Sequence, residues 1–332
     1  MTAFTTHLVP ADPTLFFSRN DPDDPRMGDY TLRSPDDFPG AAQVALIGVP
    51  QDIGVERNGG RVGAAAAPDA IRAMLYRLTP YSIGGESIPP GFLIDMGNIK
   101  CDGELEEIHD RLAEVVHQVC AAGLVPVVLG GGHDTTYAAA SGVHAVHGPL
   151  GMLNMDAHLD VRPPNPLRNS GTSFRMLIEE GKLVPNSFVE FGIQSFVNAE
   201  AHVRWLRDRG GRIMPLHEIR SMGFSRAFST ALLIAGSGVE RCYGTLDIDG
   251  VRAADAPGVS ATLPDGFTAD ELLTIAHALG RRPGVAALDI VEVNPRFDRD
   301  GITAKLAAHA IVRFLRGRSQ KSKVKSQKGG EE

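Results

Sequence analysis

The sequence is poor in cysteine and in aromatic residues, and it contains no long apolar run. Its three cysteines, Cys101, Cys120 and Cys242, include no Cys-x-x-Cys pair. This sparse, odd set excludes a disulfide framework and favours buried thiols in a reducing compartment. No apolar run approaches the ~20 residues needed to cross a bilayer, and the stretch from Met1 to Phe17 lacks the basic and apolar regions of a signal peptide. We therefore expect a cytoplasmic protein with no membrane partner.

An excess of positive charge is also absent. Lys and Arg total 33 against 40 Asp and Glu, which gives a formal net charge of −7. A mildly acidic surface argues against a nucleic-acid partner, because phosphate backbones attract basic patches. Hydrophobic residues make up 43% of the 332 residues. That fraction can fill a core and excludes global disorder, and the length fits one large α/β domain or two ordinary ones.

Composition divides the chain into three parts. Residues 1–40 are rich in Asp and Pro, and this pattern predicts an extended N-terminal arm. Residues 41–316 contain no internal repeat and no convincing linker, so we expect a single domain there. Residues 317–332 are basic and of low complexity, which predicts a disordered tail. The tail has no aromatic residues that could stack on bases, and this argues against nucleic-acid binding.

Short apolar runs alternate with longer amphipathic stretches along the middle of the chain. Most of the runs are apolar almost throughout, as in strands buried on both faces, and the alternation predicts a mostly parallel sheet covered by helices. The predicted strands are 44–49, 92–94, 125–129, 151–155, 188–193, 213–216, 242–246 and 285–290. The predicted helices are 68–72 and onward, 104–122, 199–210, 268–280 and 302–315, and Thr268 is the expected N-cap of the fourth.

Residues able to bind metal follow three of the predicted strands, at the end where parallel sheets bind their ligands. The three strings are Gly130-Gly-Gly-His133, Asp156-Ala-His-Leu-Asp160 and Asp247-Ile-Asp249. Alternate residues of an extended chain point the same way, so each string can aim its ligands at one cleft. Asp134 is set aside as a helix cap. The six candidate metal ligands are His133, Asp156, His158, Asp160, Asp247 and Asp249.

The donor atoms of this set indicate the kind of metal. Carboxylates with imidazoles suit a divalent first-row ion, and an oxygen-rich set favours manganese over zinc. Six ligands exceed the need of one ion, and shared carboxylates can hold two ions about 3.5 Å apart that activate one water. Taken alone, each string has an ordinary structural interpretation as a turn, cap or flexible loop. Three such strings at three strand ends favour a metal site.

Together, these three strings resemble the metal motifs of the ureohydrolase superfamily of arginases, agmatinases and formimidoylglutamases. The likeness runs from about residue 44 to residue 315. It implies an arginase-like α/β fold, a three-layer sandwich with a mostly parallel sheet of roughly eight strands. It also implies two Mn²⁺ ions per subunit, with Ni²⁺ as an alternative, and a metal-bridging hydroxide held by Asp156 and Asp247. One ion would be bound by His133, Asp156, Asp160 and Asp247, and the other by Asp156, His158, Asp247 and Asp249.

Further strings resemble formimidoylglutamases more than the other branches. Gly192-Ile-Gln194 stands where agmatinases tend to have Gly-Ile-Arg, and Arg252-Ala253 where arginases and agmatinases have Asp-Pro. Ser170 stands where those enzymes usually place a proton-shuttling histidine, and serine cannot relay a proton at neutral pH as imidazole can. The resemblance implies hydrolysis of N-formimidoyl-L-glutamate to L-glutamate and formamide, a step of histidine degradation. The alternative is another ureohydrolase acting on a guanidino compound, including a nickel-dependent one.

Substrate-binding residues are expected beside the metal strings. Glu292 follows the last predicted strand, where a carboxylate can pair with the forked N–H donors of an amidinium. The glutamate carboxylates of the implied substrate need cations, and Arg162 and Arg175 lie on the segment that should border the cleft. Ser170 and Gln194 are also expected at the substrate. Further candidates are Arg57 and Arg61.

Two alternatives of other classes stay open. The first is a catalytically silent homologue that only assembles with a partner, although the complete ligand set argues against it. The second is a nucleic-acid-binding protein that acts through the basic tail.

Members of this superfamily commonly self-associate, so the resemblance also implies a homo-oligomer that binds a small-molecule substrate.

Overall fold

The computed structural model describes residues 3–33, 42–85 and 87–328. Within these residues nine strands form one sheet. They are β1 (Leu8–Val9), β2 (Val44–Gly48), β3 (Leu93–Ile99), β4 (Val125–Leu129), β5 (Leu150–Met155), β6 (Leu183–Ile193), β7 (Arg212–Pro215), β8 (Cys242–Asp247) and β9 (Val285–Val291). The strand order is β1-β3-β2-β4-β9-β8-β5-β6-β7. β1 is antiparallel to β3, and the other neighbours are parallel.

Helices connect the strands and cover the sheet. In the described part of the chain they are α1 (Met27–Tyr30), α2 (Ile53–Arg57), α3 (Ala67–Leu75), α4 (Leu105–Ala121), α5 (Thr135–His147), α6 (Ser173–Glu179), α7 (Glu200–Asp208), α8 (Leu216–Met222), α9 (Phe224–Ala235), α10 (Ala269–Arg281) and α11 (Ile302–Lys328). The predicted cap of α10 is confirmed, since the Thr268 hydroxyl accepts from the Glu271 N–H and the Glu271 carboxylate accepts from the Thr268 N–H. None of these helices combines the length and the apolar character needed to cross a membrane.

Two hydrophobic cores lie on opposite faces of the sheet. One contains apolar residues of α3, α9, α10 and α11, and the other contains those of α4, α5, α6 and α7. Strand residues alternate between the two cores, as Met152 and Leu153 do in β5. This arrangement confirms the predicted three-layer α/β sandwich. The sheet has nine strands instead of roughly eight, because the two-residue strand β1 extends its edge.

Residues 3–33, which form most of the predicted N-terminal arm, lie against the edge of the sheet and the core. Leu8 and Val9 pair with Ile99 and Asn98 at the sheet edge. Phe16 stacks on Tyr76 with ring centroids 4.5 Å apart, and both side chains are buried. Isolated apolar residues between the Asp-Pro strings therefore anchor this segment to the core. The rest of the predicted arm, residues 34–40, lies outside the described residues.

The C-terminal segment expected to be a disordered tail begins inside a helix. α11 continues past residue 316 to Lys328, and Arg318 and Ser319 are buried. The reason is a close crossing of two helices. A Cβ on Gly317 would lie 2.4 Å from the carbonyl oxygen of His277 in α10, so only glycine permits this approach. The helix therefore crosses the expected boundary at residue 316, which stays a prediction, and residues 329–332 lie outside the described part.

The strand order brings the metal-competent strings together. β4, β9, β8 and β5 are consecutive neighbours and run parallel, so their carboxyl ends share one edge of the sheet. His133 follows β4, Glu292 follows β9, Asp247 ends β8 and Asp156 follows β5. Residues far apart in sequence thus meet beyond the ends of four adjacent strands, where parallel sheets place their functional sites.

Candidate metal centre

The loop after β4 brings His133 into the protein interior. A Cβ on Gly131 would lie 1.5 Å from the carbonyl oxygen of Gln51, so this position requires glycine. His133 is fully buried, and its Nε2 atom lies 3.0 Å from the Thr245 hydroxyl. This contact orients the ring so that its other nitrogen, Nδ1, faces the carboxylates.

Three carboxylate oxygens surround Nδ1 of His133. Its distances are 3.2 Å to Asp156 Oδ2, 3.0 Å to Asp160 Oδ2 and 3.0 Å to Asp247 Oδ2. Nδ1 is buried and has no hydrogen-bond partner of suitable geometry among the described residues. The four donor atoms lie within 4.8 Å of one another. One nitrogen and three oxygens converging in this way fit a divalent cation.

A second group of donors adjoins the first. His158 Nδ1 lies 3.2 Å from Asp249 Oδ2 and 3.5 Å from Asp156 Oδ1. Asp156 therefore offers one oxygen to each group. Asp247 belongs only to the first group of donors, and its Oδ1 atom accepts a 2.8 Å hydrogen bond from the Asp249 N–H. The structure brings all six predicted ligands together, while the bridging role expected of Asp247 stays a prediction.

The charges at this centre repel one another in the absence of cations. Burial, followed by Asp249 and Asp156, raises the pKa of Asp247 well above its usual range. Burial also raises the pKa of Asp249 to about 6, against the opposing effect of His158. Burial opposes ionisation of Asp156 too, but His133 and His158 hold its pKa below the usual value. Buried carboxylates at this density need positive charge nearby, which metal ions can supply.

The histidines respond to the same carboxylates. Burial alone would lower the pKa of His133, but Asp156, Asp160 and Asp247 raise it well above its usual value. The carboxylate of Asp249 raises the pKa of His158, with burial opposing. The raised pKa values favour a proton on each imidazole. A metal ion that binds Nδ1 of either histidine would displace that proton. Metal binding at this centre must release protons.

Glu292 lines the same cavity as four of the six candidate metal ligands. Its Oε1 atom accepts a 3.0 Å hydrogen bond from the His133 N–H, and its backbone has a φ of 63°. Burial, followed by the Asp247 charge, raises its pKa well above the usual value. Its carboxylate lines the cavity, as expected for a residue that pairs with an amidinium.

The cavity above the donors is rich in polar side chains. It measures about 220 Å³ and is lined by His158, Asp160, Asp247, Asp249 and Glu292 at its base. Its wall contains the predicted residues Arg162 and Ser170 together with residues that the sequence did not single out, Asn58, Asn198 and His202.

Two of the predicted substrate residues lie outside this cavity lining and have other partners. The guanidinium of Arg175 lies 4.4 Å from the centroid of the Trp205 ring, and its Nε donates to Glu179 at 3.0 Å. The Gln194 side chain donates a 2.7 Å hydrogen bond to the carbonyl oxygen of Asp265. Their positions give no support to a substrate contact, because neighbouring side chains and backbone already occupy both groups.

The two further arginine candidates also lie outside the lining. Arg57 pairs with Glu106 at 3.0 Å and with Glu104 at 3.2 Å. Arg61 donates to the backbone of residues 259 and 260 and stacks on Phe297. Both arginines therefore have protein partners that already bind their guanidinium groups.

Sequence reasoning missed His202 and misassigned Asp134. His202 is in the first turns of α7, and the pattern of that helix hides it among surface residues. Asp134 precedes α5, but its side chain does not cap the helix. Its Oδ2 atom instead accepts from Gln51 at 2.7 Å and lies 2.9 Å from His109 Nε2, in the interior behind His133. The adjoining Gly-rich loop leaves room for this inward rotamer.

Comparison with known proteins gives a consistent family. The arginase family matches residues 42–316. A formimidoylglutamase from Geobacillus thermodenitrificans is 36% identical over 280 residues, which are 82% of this chain and 84% of that protein. One from Ralstonia nicotianae is 33% identical over 329 residues, covering 92% and 96% of the two chains.

A solved structure shares the fold. The crystal structure of Trypanosoma cruzi formiminoglutamase with Mn²⁺ superposes with a TM-score of 0.82 at 33% identity, covering 89% of this chain and 98% of that one. On its sequence and its fold, the chain belongs to the arginase family.

Proposed function

We propose that this protein is a binuclear manganese hydrolase that cleaves the C–N bond of a linear amidine, N-formimidoyl-L-glutamate. The observation that carries the proposal is the pair of donor groups that share Asp156 beneath a cavity containing Glu292. The relatives named formimidoylglutamase, at 33–36% identity, support the choice of substrate. The products are L-glutamate and formamide.

The metal ions would be held by the six residues at the strand ends. His133, Asp156, Asp160 and Asp247 would hold the first, and Asp156, His158, Asp247 and Asp249 the second. The oxygen-rich donor set favours Mn²⁺, and the related Trypanosoma cruzi structure contains Mn²⁺. When bound, such a cation pair lowers the pKa of a coordinated water and supplies a nucleophile near neutral pH.

Glu292 would orient the reacting group. Its carboxylate is buried at the cavity base, and the bond from the His133 N–H fixes one of its oxygens. An amidinium presents two N–H donors in a planar fork that a carboxylate can accept. In the net reaction, water adds to the formimidoyl carbon, the bond from that carbon to the glutamate nitrogen breaks, and the released amine takes up a proton.

The wall of the cavity would select the glutamate end. Arg162 lines it and presents a guanidinium suited to carboxylate binding. Ser170 accepts a 3.0 Å hydrogen bond from the Asn58 side chain, which holds its hydroxyl beside Arg162. Neither Arg162 nor Ser170 can shuttle protons at neutral pH as a histidine does.

We also propose that the catalytic domain spans residues 41–316 together with the buried turn of α11 that follows. Self-association into a homo-oligomer and a cytoplasmic location stay predictions. The described surface carries fully exposed apolar side chains, among them Phe196 and Ile83, of the kind that subunit interfaces cover. Light scattering of the purified chain tests the oligomer.

A substrate panel tests the proposed function. The Mn²⁺-loaded protein is assayed with N-formimidoyl-L-glutamate, agmatine, arginine and guanidino acids, with formamide and urea measured separately. We expect formamide release from formimidoylglutamate to exceed every urea-forming reaction. Clear turnover of a guanidino compound without turnover of formimidoylglutamate would reject the substrate and favour the guanidino alternative.

A further inference from the structure

Asn154 and Glu190 form a buried polar pair beneath the metal donors. They lie opposite each other in neighbouring parallel strands, Asn154 in β5 and Glu190 in β6, and both are fully buried. Asn154 Nδ2 donates to Glu190 Oε2 at 2.7 Å and to Asp156 Oδ2 at 3.2 Å. The pair therefore connects the sheet interior to a carboxylate of the metal centre.

The stability of the sheet does not account for this pair. The residues two positions before them, Met152 and Phe188, are apolar and pack in the same hydrophobic core. Asn154 Oδ1 and Glu190 Oε1 are buried without a hydrogen-bond partner among the described residues. Each unmade bond costs about 1–3 kcal/mol, and an apolar pair of the same shape would avoid that cost.

Asp156 is the residue whose orientation matters most at the centre. Its Oδ2 atom faces Nδ1 of His133, and its Oδ1 atom accepts from the His158 N–H at 2.7 Å and faces the second donor group. Rotation of this carboxylate would remove an oxygen from both groups together. The hydrogen bond from the Asn154 amide to Oδ2 and the hydrogen bond from the His158 N–H to Oδ1 prevent that rotation.

The chemistry of the amide explains why two residues are needed. The Nδ2 of asparagine has two hydrogens, and here one goes to Asp156 and the other to Glu190. An asparagine with its amide reversed would present its carbonyl oxygen to the Asp156 carboxylate. Because Glu190 accepts a hydrogen bond from Nδ2, the Asn154 amide is held in the orientation in which Nδ2 also faces Asp156.

The Glu190 carboxyl group is well placed for this task. Burial, followed by repulsion from Asp156, raises its pKa well above the usual value. In either protonation state a carboxyl group has an oxygen that can accept a hydrogen bond, and here Oε2 accepts from Asn154 at 2.7 Å.

We propose that Asn154 and Glu190 are positioning residues that hold the Asp156 carboxylate so that each of its oxygens faces a different metal position. The proposal rests on the metal binding assumed in the proposed function. The residues contact neither substrate nor metal and act through Asp156 alone.

The test is Mn²⁺ binding by the full chain, measured by titration calorimetry and metal content, with the electron paramagnetic resonance signal of a coupled Mn²⁺ pair as a second readout. The double variant Asn154→Leu/Glu190→Met replaces the pair with apolar side chains. We expect its Mn²⁺ affinity to fall about tenfold or more, as is typical for partners of metal ligands, and the coupled signal to be lost. We expect the melting temperature of the metal-free form to be unchanged or higher.

Glu190→Gln is the conservative variant, because its amide oxygen can accept the same hydrogen bond. We expect it to retain Mn²⁺ affinity within about threefold of the natural chain. Met152→Leu is the matched control for repacking in β5, and we expect it to leave Mn²⁺ affinity unchanged. Should the double variant fail to fold, Glu190→Met compared with Glu190→Gln makes the same distinction.

Two results would overturn the proposal. One is a folded double variant, or Glu190→Met, with unchanged Mn²⁺ affinity and an unchanged coupled signal. The other is a loss of affinity in Met152→Leu as large as in the variants of the pair, which would show a packing effect. A natural chain that binds two Mn²⁺ ions but does not hydrolyse formimidoylglutamate would refute the proposed substrate and leave this proposal standing.

Discussion

The carboxylate of Glu292 accepts a 3.0 Å hydrogen bond from the backbone N–H of His133. This bond joins the residue proposed to hold the amidinium to the residue that begins the metal-donor set. Glu292 has a φ of 63°, a left-handed conformation that bulky residues seldom adopt, and Asp160 has a φ of 42°. Backbone strain at two of the functional positions indicates that the surrounding fold fixes their geometry.

Replacing Glu292 separates substrate binding from metal binding. Glu292→Gln can keep the bond from the His133 N–H but loses the negative charge. We expect kcat/KM for formimidoylglutamate to fall about a hundredfold, because a buried charge-assisted hydrogen bond contributes about 2–3 kcal/mol. Steady-state kinetics measure the effect, and calorimetry should show nearly unchanged Mn²⁺ affinity. A variant with full activity would remove Glu292 from the substrate site.

Removing a carboxylate from one donor group should empty one metal position. In Asp249→Ala we expect loss of the second ion and in Asp160→Ala loss of the first, each with activity close to background. The metal-free variants should be as stable as the natural chain or more so, because buried carboxylates that repel each other are fewer. Metal analysis and thermal unfolding check both points. Two ions retained in a folded Asp249→Ala protein would contradict the assignment.

Mn²⁺ affinity should depend on pH near the acid side of neutrality. Burial raises the pKa of Asp249 to about 6, and a cation binds the ionised form. A raised pKa means that protons compete with the metal at higher pH, so affinity should fall as pH drops through about 6. The raised pKa values of Asp247, His133 and His158 extend this competition above about pH 6. Calorimetric titrations at about pH 5 and about pH 7.5 measure this. Affinity that stays constant down to about pH 4 would argue against carboxylate ligation.

Arg162 and Arg175 form a matched pair of variants. Both were expected at the substrate, but only Arg162 lines the cavity, while Arg175 lies against Trp205. We expect Arg162→Ala to raise the KM for formimidoylglutamate about tenfold or more, since a hydrogen bond to a charged group contributes about 1.5–3 kcal/mol. We expect Arg175→Ala to lower the melting temperature and leave KM nearly unchanged. The reverse pattern in kinetics and unfolding would exchange their roles.

The sequence was sufficient to predict the sheet and the metal donors. Buried parallel strands are apolar over most of their length, so all eight predicted runs are present as strands. The candidate ligands meet because β4, β8 and β5 run parallel and end at one edge of the sheet. Helix α5 was missed because Ala138, Ala139 and Ala140 are buried on successive faces, which leaves no amphipathic stripe to detect.

The cavity wall could not be predicted in the same way. Whether an arginine faces a cavity depends on rotamers and distant partners, such as the Trp205 ring that holds Arg175. His202 reaches the cavity only through the path of the loop before α7, and no local pattern encodes that path. The continuation of α11 past residue 316 could not be predicted either, because the close approach of Gly317 to α10 is a tertiary contact.

The most direct test of a binuclear Mn²⁺ hydrolase measures metal content and turnover on the same sample. The protein is stripped with a chelator, reloaded with Mn²⁺, analysed for metal per chain and assayed with N-formimidoyl-L-glutamate, beside Asp156→Ala as the variant that disrupts both donor groups. We expect two Mn²⁺ ions per natural chain and turnover that disappears on stripping and returns on reloading. In Asp156→Ala we expect neither bound Mn²⁺ nor turnover. Undiminished turnover by the stripped protein, or two ions retained by Asp156→Ala, would contradict this expectation.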